Sequence, residues 1–292
     1  MVERPTPMSR IAYVNGRYVR HRDAKVHVED RGYQFGDGVY EVCEVRGGRL
    51  VDERRHMVRL KRSLDELRIR MPMPLAALGV VLREVVARNR VNNGIVYLQV
   101  TRGVARRDHG FPVPEVAPSV VVTARAHNRA RNEAIAAKGI AAISLPENRW
   151  SRVDIKSIGL LPNVLARQAA IERGAREAWF VDRDGAVTEG ASTNAWIVTQ
   201  SGGVVTRPAD HGILRGVTRA VVFEVIKAQG LSLEERKFTL EEAYAAREAF
   251  VTAASQIVLP VVRIDGRAIG DGKPGPVAIA LRREFHRYAE VG

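Results

Sequence analysis

Of the seven lysines in this 292-residue chain, one stands in unusual company. Lys156 lies in RVDIKSIGLLPN, with Ile155 and Ile158 close by, directly before an apolar stretch that reads as a helix. Such an amine is either a surface lysine in a loop or a desolvated group of lowered pKa that can form a Schiff base with a carbonyl. Thirty-three residues on, VTEGASTNAW sets Glu189 between a strand end and a Gly-Ser-Thr turn. Alone it is an ordinary turn carboxylate. Farther along, ILRGVTRAVV puts Gly216, Val217 and Thr218 at a helix start, where backbone N–H groups and the helix dipole favour a phosphate. Thr218 as a plain N-terminal cap is the simpler alternative. Taken together, a Schiff-base lysine, a carboxylate for a pyridinium nitrogen and a phosphate cup are what a pyridoxal phosphate site requires.

Competing chemistries find little support. The chain has no GxGxxG, GxxxxGK[ST], GxSxG or HExxH motif. Its histidines (21, 27, 56, 109, 127, 211 and 286) form no ligand-spaced pairs and Cys43 has no cysteine partner, so no metal is expected. The net charge is +13, from 46 basic and 33 acidic residues. Thirty-nine of the basic residues are arginines, spread without a run of five, which suits small anions better than a nucleic-acid-binding arm. A hydrophobic fraction of 46% excludes disorder, and a single cysteine excludes a disulfide scaffold. The apolar runs at 75–82 and 250–262 are too short, or are broken by Thr252, Ser255, Gln256 and Pro260, for a membrane span of roughly 20 residues. The opening MVERPTPMSR lacks the apolar core of a signal peptide, so a soluble, cytoplasmic protein is expected.

The elements that must position these residues are legible from periodicity. A hairpin is expected at 11–14 and 17–19 around Asn15-Gly16. Strand alternation over 39–45 puts Tyr40, Val42 and Glu44 on one face and Val39, Glu41, Cys43 and Val45 on the other. Helices follow at 53–69, with Met57, Leu60, Leu64 and Leu67 at helical spacing, and at 75–88. Strands at 95–101 and 120–126 flank a loop rich in Pro, Gly and charge, and the polar segment 127–136 reads as an interdomain linker. The second half alternates: strand 139–144, helix 161–173, strands 178–181 and 193–198, helix 216–229, strands 249–253 and 257–264, and a final helix at 276–289. The expectation is a mixed α/β, α+β chain of two domains, 1–126 and 137–292, the second carrying Lys156.

The stretches EDRGYQFGDGVYEV, HMVRL, YLQVTRG, DIKSIGLLPNVLA, VTEGASTN, ILRGVTR and VVRIDG run in order along nearly the whole chain. In them the sequence resembles the fold-type IV pyridoxal-phosphate enzymes, and among these the bacterial D-amino acid aminotransferases. The resemblance implies a two-domain subunit with pyridoxal 5'-phosphate between the domains, in a homodimer that completes its sites at the interface. It implies that Lys156 forms the internal aldimine and then shuttles the proton between Cα and C4′. Glu189 would keep the pyridine nitrogen protonated, Arg59 of HMVRL would bind the phosphate with Val217 and Thr218, and Ser192 and Leu214 would flank the ring.

The resemblance also implies how substrate is chosen. The α-carboxylate would be held by Tyr40, beside Val42, and by Arg107 and His109 lent by loop 103–118 of the other subunit. The guanidinium fork matches a carboxylate bidentately. The implied reaction moves an amino group from a D-amino acid such as D-alanine to an α-keto acid such as 2-oxoglutarate in a ping-pong cycle. Branched-chain or (R)-amine transamination and aminodeoxychorismate lysis are the alternatives within the same fold. Two departures stand out. FVTAASQIV carries Ala253 and Ala254 where relatives place phosphate-binding hydroxyls, leaving backbone amides near Ala254 and the side chain of Ser255. Glu44 falls where a lysine can occur, and a carboxylate there would disfavour acidic substrates by like-charge repulsion.

Overall fold

The computed structural model describes residues 10–292, so nine of the ten residues read above for a signal peptide lie outside them. Eight helices and two sheets make up the described chain, a mixed α/β architecture. It divides into two units. The first runs to His127 and takes in Lys156–Gly159 and Val291–Gly292, while the second comprises Asn128–Ile155 and Leu160–Glu290.

In the first unit, Asn15 (φ 44°) and Gly16 (φ 92°) both take left-handed conformations, the type I′ geometry that suits a two-residue hairpin. They join β1 (Ile11–Val14) to β2 (Arg17–Arg20). One helical turn, α1 (Arg31–Phe35), leads to β3 (Gly38–Arg46) and β4 (Arg49–Leu50). Helices α2 (Glu53–Glu66) and α3 (Leu75–Arg88) precede β5 (Asn93–Thr101) and β6 (Ser119–Ala126). The sheet order is β2-β1-β6-β5-β3-β4. Val39, Cys43 and Val45 of β3 are buried, as are Val96, Leu98 and Val100 of β5 and Leu60, Leu64, Leu78 and Leu82 of the helices. Tyr40, Val42 and Glu44 are half-buried, as alternation predicts. Helix α2 stops short of the expected 69, because Arg68 turns left-handed (φ 52°) and the Ile69 amide closes back onto the Leu64 carbonyl.

The second unit begins with α4 (Arg129–Lys138), followed by β7 (Ile140–Pro146), α5 (Leu161–Glu172), β8 (Glu177–Val181), β9 (Val187–Gly190), β10 (Asn194–Val198) and β11 (Val204–Thr206). Then come α6 (Val217–Ala228), β12 (Leu233–Glu235), α7 (Leu240–Tyr244), β13 (Glu248–Ala253), β14 (Ile257–Ile264), β15 (Arg267–Ala268) and α8 (Pro276–Tyr288). The order is β12-β11-β10-β13-β14-β7-β8-β9, with β15 on β14. Trp179, Val187, Ile197, Phe238 and Val251 fill one core, and Ile143, Ala166, Ala170 and Phe180 a second.

Two boundaries differ from the sequence expectation. Residues 129–136 of the expected linker lie within α4, because the Asn128 side chain caps the helix by accepting from the Arg131 amide at 3.0 Å. Lys156 belongs with the first unit rather than with the C-terminal half. Its backbone pairs with β3: the Tyr40 amide donates to the Lys156 carbonyl and the Ile158 amide to the Gly38 carbonyl, both at 3.0 Å.

Candidate active site

In the first unit, β3 is the strand on which Lys156 rests. The Lys156 amide donates to Ser63 Oγ of α2 at 3.3 Å, and its half-buried side chain puts Nζ 4.1 Å from the centre of the Tyr40 ring. That ring stacks on Tyr97 at 5.7 Å and 28°. The Tyr97 hydroxyl donates to Gln99 Oε1 at 2.7 Å, and burial, helped by Tyr40, pushes its pKa up to about 12. Val42 and Glu44 continue the Tyr40 face, opposite Tyr97 and Ile95 of β5.

From the other face of β3, α2 brings Arg59 against Glu41. Arg59 Nε donates to Oε1 and Nη2 to Oε2, both at 2.8 Å. His56, one helical turn earlier, stands with Nδ1 2.7 Å from Oε2. Burial opposes the Glu41 charge, but the Arg59 guanidinium and its hydrogen bonds win and hold the carboxyl far below the usual range. Burial pushes His56 down, so it is neutral and donates from Nδ1; the Lys156 charge adds to that push. Neither Glu41 nor His56 was singled out from the sequence. The signal was present in a carboxylate alternating with Val39, Cys43 and Val45, since a buried charge needs a partner.

In the second unit, Glu189 is the penultimate residue of β9 and is 5% exposed. Its Oε1 accepts from Arg149 Nη1 at 2.6 Å, and its Oε2 from Asn194 Nδ2 at 2.9 Å and the Leu214 amide at 3.0 Å. Arg149 is also forked onto Glu147, through Nε at 2.9 Å and Nη2 at 2.6 Å, and Thr188 Oγ1 donates to the same carboxylate at 2.8 Å. One guanidinium therefore serves two carboxylates. Burial pushes the Glu189 carboxyl above its usual range, with Arg149 pulling the other way. Three of four acceptor positions on Glu189 are filled, and the local charge balance is negative, which fits a further N–H bearing a positive charge. Arg149 was not anticipated from the sequence, and nothing in its neighbourhood pointed to it.

The same unit holds the other expected cofactor contacts. The Leu214 carbonyl accepts from Asn194 Nδ2 at 2.9 Å, so this residue is tied at both backbone groups. Ser192 Oγ donates to Glu177 Oε2 at 3.3 Å. Gly216 is the N-cap of α6 and supplies no side chain, leaving the first-turn amides of Val217 and Thr218 without a side-chain cap. Thr218 is therefore not the cap. A Cβ at Gly216 would run into Asn194 Oδ1, so glycine is required there. Ala254 and Ser255 lie in the turn between β13 and β14, closed by the Gln256 amide on the Ala253 carbonyl at 3.1 Å. Arg107 and His109, back in the first unit, are exposed and share one ring: the Arg107 guanidinium lies 4.9 Å from the Phe35 centroid and the His109 ring 5.4 Å.

No helix among the described residues is long and apolar enough to cross a membrane. The amino-transferase class IV family matches residues 38–264. D-alanine aminotransferase of Staphylococcus haemolyticus is 40% identical over 278 residues, 95% of this chain and 97% of that protein. D-alanine aminotransferase of Listeria innocua is 40% identical over 273 residues, 93% of each. Among solved structures, the branched-chain aminotransferase of Thermoproteus uzoniensis with norvaline aligns with a TM-score of 0.84 at 26% identity, covering 97% of this chain and 99% of that one. The branched-chain enzyme of Escherichia coli, at 24% identity and covering 96% and 94%, gives a TM-score of 0.88 and shares the fold.

Proposed function

Since the chain belongs to the class IV amino-transferase family, we propose that it is a pyridoxal-phosphate-dependent aminotransferase that moves an amino group between a D-amino acid such as D-alanine and an α-keto acid such as 2-oxoglutarate. The observation that carries the D-amino acid reading is the convergence of Arg107 and His109 on Phe35, which puts a guanidinium and an imidazole side by side as donors for a carboxylate. Likeness to D-alanine aminotransferases at 40% identity supports it more strongly than likeness to branched-chain enzymes at 24–26%.

When bound, pyridoxal phosphate supplies an aldehyde for the amine and a ring that accepts electrons from Cα. Lys156 Nζ, on a backbone fixed to β3, would carry a proton from the substrate Cα to C4′ in the amino-donor half of the cycle and from C4′ to Cα in the keto-acid half. Glu189 holds a proton on the ring nitrogen, its fourth acceptor position serving that N–H. Arg59, oriented by Glu41, is the first unit's phosphate ligand in this reading, and the Val217 and Thr218 amides of α6 are the second unit's. Ser192 and Leu214 flank the ring, and the turn at Ala254 and Ser255 offers backbone amides and one hydroxyl in place of the hydroxyls that Ala253 and Ala254 lack. Tyr40, with Val42 beside it, meets the substrate, and Glu44 lies on the same strand face. In a homodimer, loop 103–118 carries Arg107 and His109 to the partner's site.

A half-reaction tests the reading. D-alanine, L-leucine and (R)-1-phenylethylamine are added separately to the loaded enzyme, and the coenzyme's visible absorbance is followed. D-alanine is expected to bleach it fastest, and Lys156→Ala to abolish both the absorbance and turnover. A faster response to L-leucine or the amine would reject the D-amino acid assignment.

A further inference from the structure

The first unit contains a second charge cluster, separate from the one at Arg59. Asp37, in the turn before β3, accepts from two nearly buried arginines. Arg31 Nε donates to Oδ2 at 2.8 Å; Arg102 donates to Oδ2 through Nε at 2.8 Å and to Oδ1 through Nη2 at 3.0 Å. Burial raises the Asp37 carboxyl, but the hydrogen bonds from Arg102 and Arg31 outweigh it and keep it below its usual range. Both arginines are thus locked in place by one carboxylate, and each has donors left for other groups.

Those donors run to the loop that carries Arg107 and His109. Arg31 Nη1 donates to the Asp108 carbonyl at 2.6 Å, and Nη2 reaches the His109 carbonyl at 3.5 Å. The Arg31 guanidinium also lies 4.9 Å from Phe35, the ring that Arg107 and His109 share. Arg102 stacks 3.7 Å from the centroid of Phe111 on the far side of the pair, while its Nη1 and Nη2 donate to the carbonyls of Arg68 and Leu67 at 2.9 and 2.8 Å. The near end of the loop is pinned too, with the Arg31 amide on the Gly103 carbonyl at 2.9 Å and the Ala105 amide on the Glu29 carbonyl at 3.3 Å. An exposed loop is ordinarily the most mobile part of a domain. Here the carbonyl between the two substrate-facing residues is held from a buried ion cluster.

We propose that Asp37, acting through Arg31 and Arg102, is a positioning residue that fixes Arg107 and His109 for capture of the substrate carboxylate. The inference rests on the reading of Arg107 and His109 given above. Loss of the anchor leaves the chemistry at Lys156 intact but makes the carboxylate trap a mobile one, so the effect falls on KM rather than kcat.

The test compares three holoenzymes, Asp37→Asn, Arg31→Lys and Arg107→Ala, by kcat and KM for D-alanine and by amide hydrogen exchange over residues 104–111. Arg31→Lys keeps a positive charge for Asp37 but lacks the fork that also reaches the loop carbonyls, so it serves where Asp37→Asn fails to fold. All three are expected to raise KM about tenfold or more with kcat changed less than about threefold. Exchange over 104–111 is expected to quicken in Asp37→Asn and Arg31→Lys only. Unchanged KM in Arg31→Lys and Asp37→Asn beside a raised KM in Arg107→Ala would overturn the positioning role alone. Unchanged KM in Arg107→Ala would remove the carboxylate trap itself, and this inference with it. A fall in kcat with KM and exchange unaltered would mean that the cluster only stabilises the fold.

Discussion

Glu41 and Glu189 are the same residue type, both nearly inaccessible to water and both bound by an arginine, yet their pKa values move in opposite directions. Glu41 has Arg59 forked onto it and a histidine on the same side, so its charge is satisfied within the first unit. Glu189 gets one nitrogen of a guanidinium whose fork is turned to Glu147, and burial wins. Burial alone does not decide the state of a carboxylate. The share of a cation that it can claim does. Glu41 acts on its arginine, and Glu189 keeps capacity for a group from outside.

The largest effect is expected where the fork is cut. Glu41→Gln strips Arg59 of its charged partner in a buried position, and a loss of about 3–5 kcal/mol in denaturant unfolding is expected. Glu189→Gln leaves Arg149 forked onto Glu147, so its cost in stability is about 1 kcal/mol or less. Equal costs for the two would break the comparison.

Turnover should show the reverse asymmetry. On the proposed role, Glu189→Gln would remove the charge that holds a proton on the ring nitrogen, and kcat is expected to fall about 10²-fold, roughly 2.7 kcal/mol of barrier. A variant within threefold of the parent would strip Glu189 of that role.

Titration sharpens the contrast further. The Glu41 carboxyl is depressed in the folded protein, so its contribution is present above the unfolded carboxylate value near 4.3 and is lost as pH falls toward the folded one. The Glu189 carboxyl is raised, so it favours the fold below the unfolded value and loses that contribution as pH rises through the folded one. Unfolding midpoints at pH 7 and pH 4 should therefore fall less steeply toward acid in Glu41→Gln than in the parent, and more steeply in Glu189→Gln. Parallel profiles for all three would contradict both directions.

The smallest effect concerns a third carboxylate, Glu44, on the same strand as Glu41 but on the opposite, half-buried face. D-aspartate and D-glutamate are expected to react more slowly than D-alanine, and Glu44→Ala to raise the D-glutamate to D-alanine rate ratio about three- to fivefold. A parent enzyme that prefers D-glutamate ends that idea.

Much of this was legible in the sequence, and for a local reason. The Asn15-Gly16 hairpin, the alternation of β3 and the stripes of α2, α3 and α6 follow from residues a few positions apart. Lys156, Glu189, Val217 and Thr218 stand out in the sequence because their residue types sit beside turns or at a helix start, where the neighbouring letters tell. The short strands β9, β11 and β12 were not found, since three or four residues carry no readable period. Helix α4 reads as a linker in the sequence because polar residues describe a solvated helix as well as a loop.

Only the tertiary structure decided which charges meet. Glu41 lies 18 residues from Arg59, Glu189 lies 40 from Arg149, and Arg31 lies 77 from the Asp108 carbonyl that it holds. No periodicity reaches across such distances. The amino-acid sequence determined that a carboxylate would stand on each of these elements. Whether it would be satisfied, shared or left with an open acceptor depended on how closely remote elements approach and in which direction their donors point.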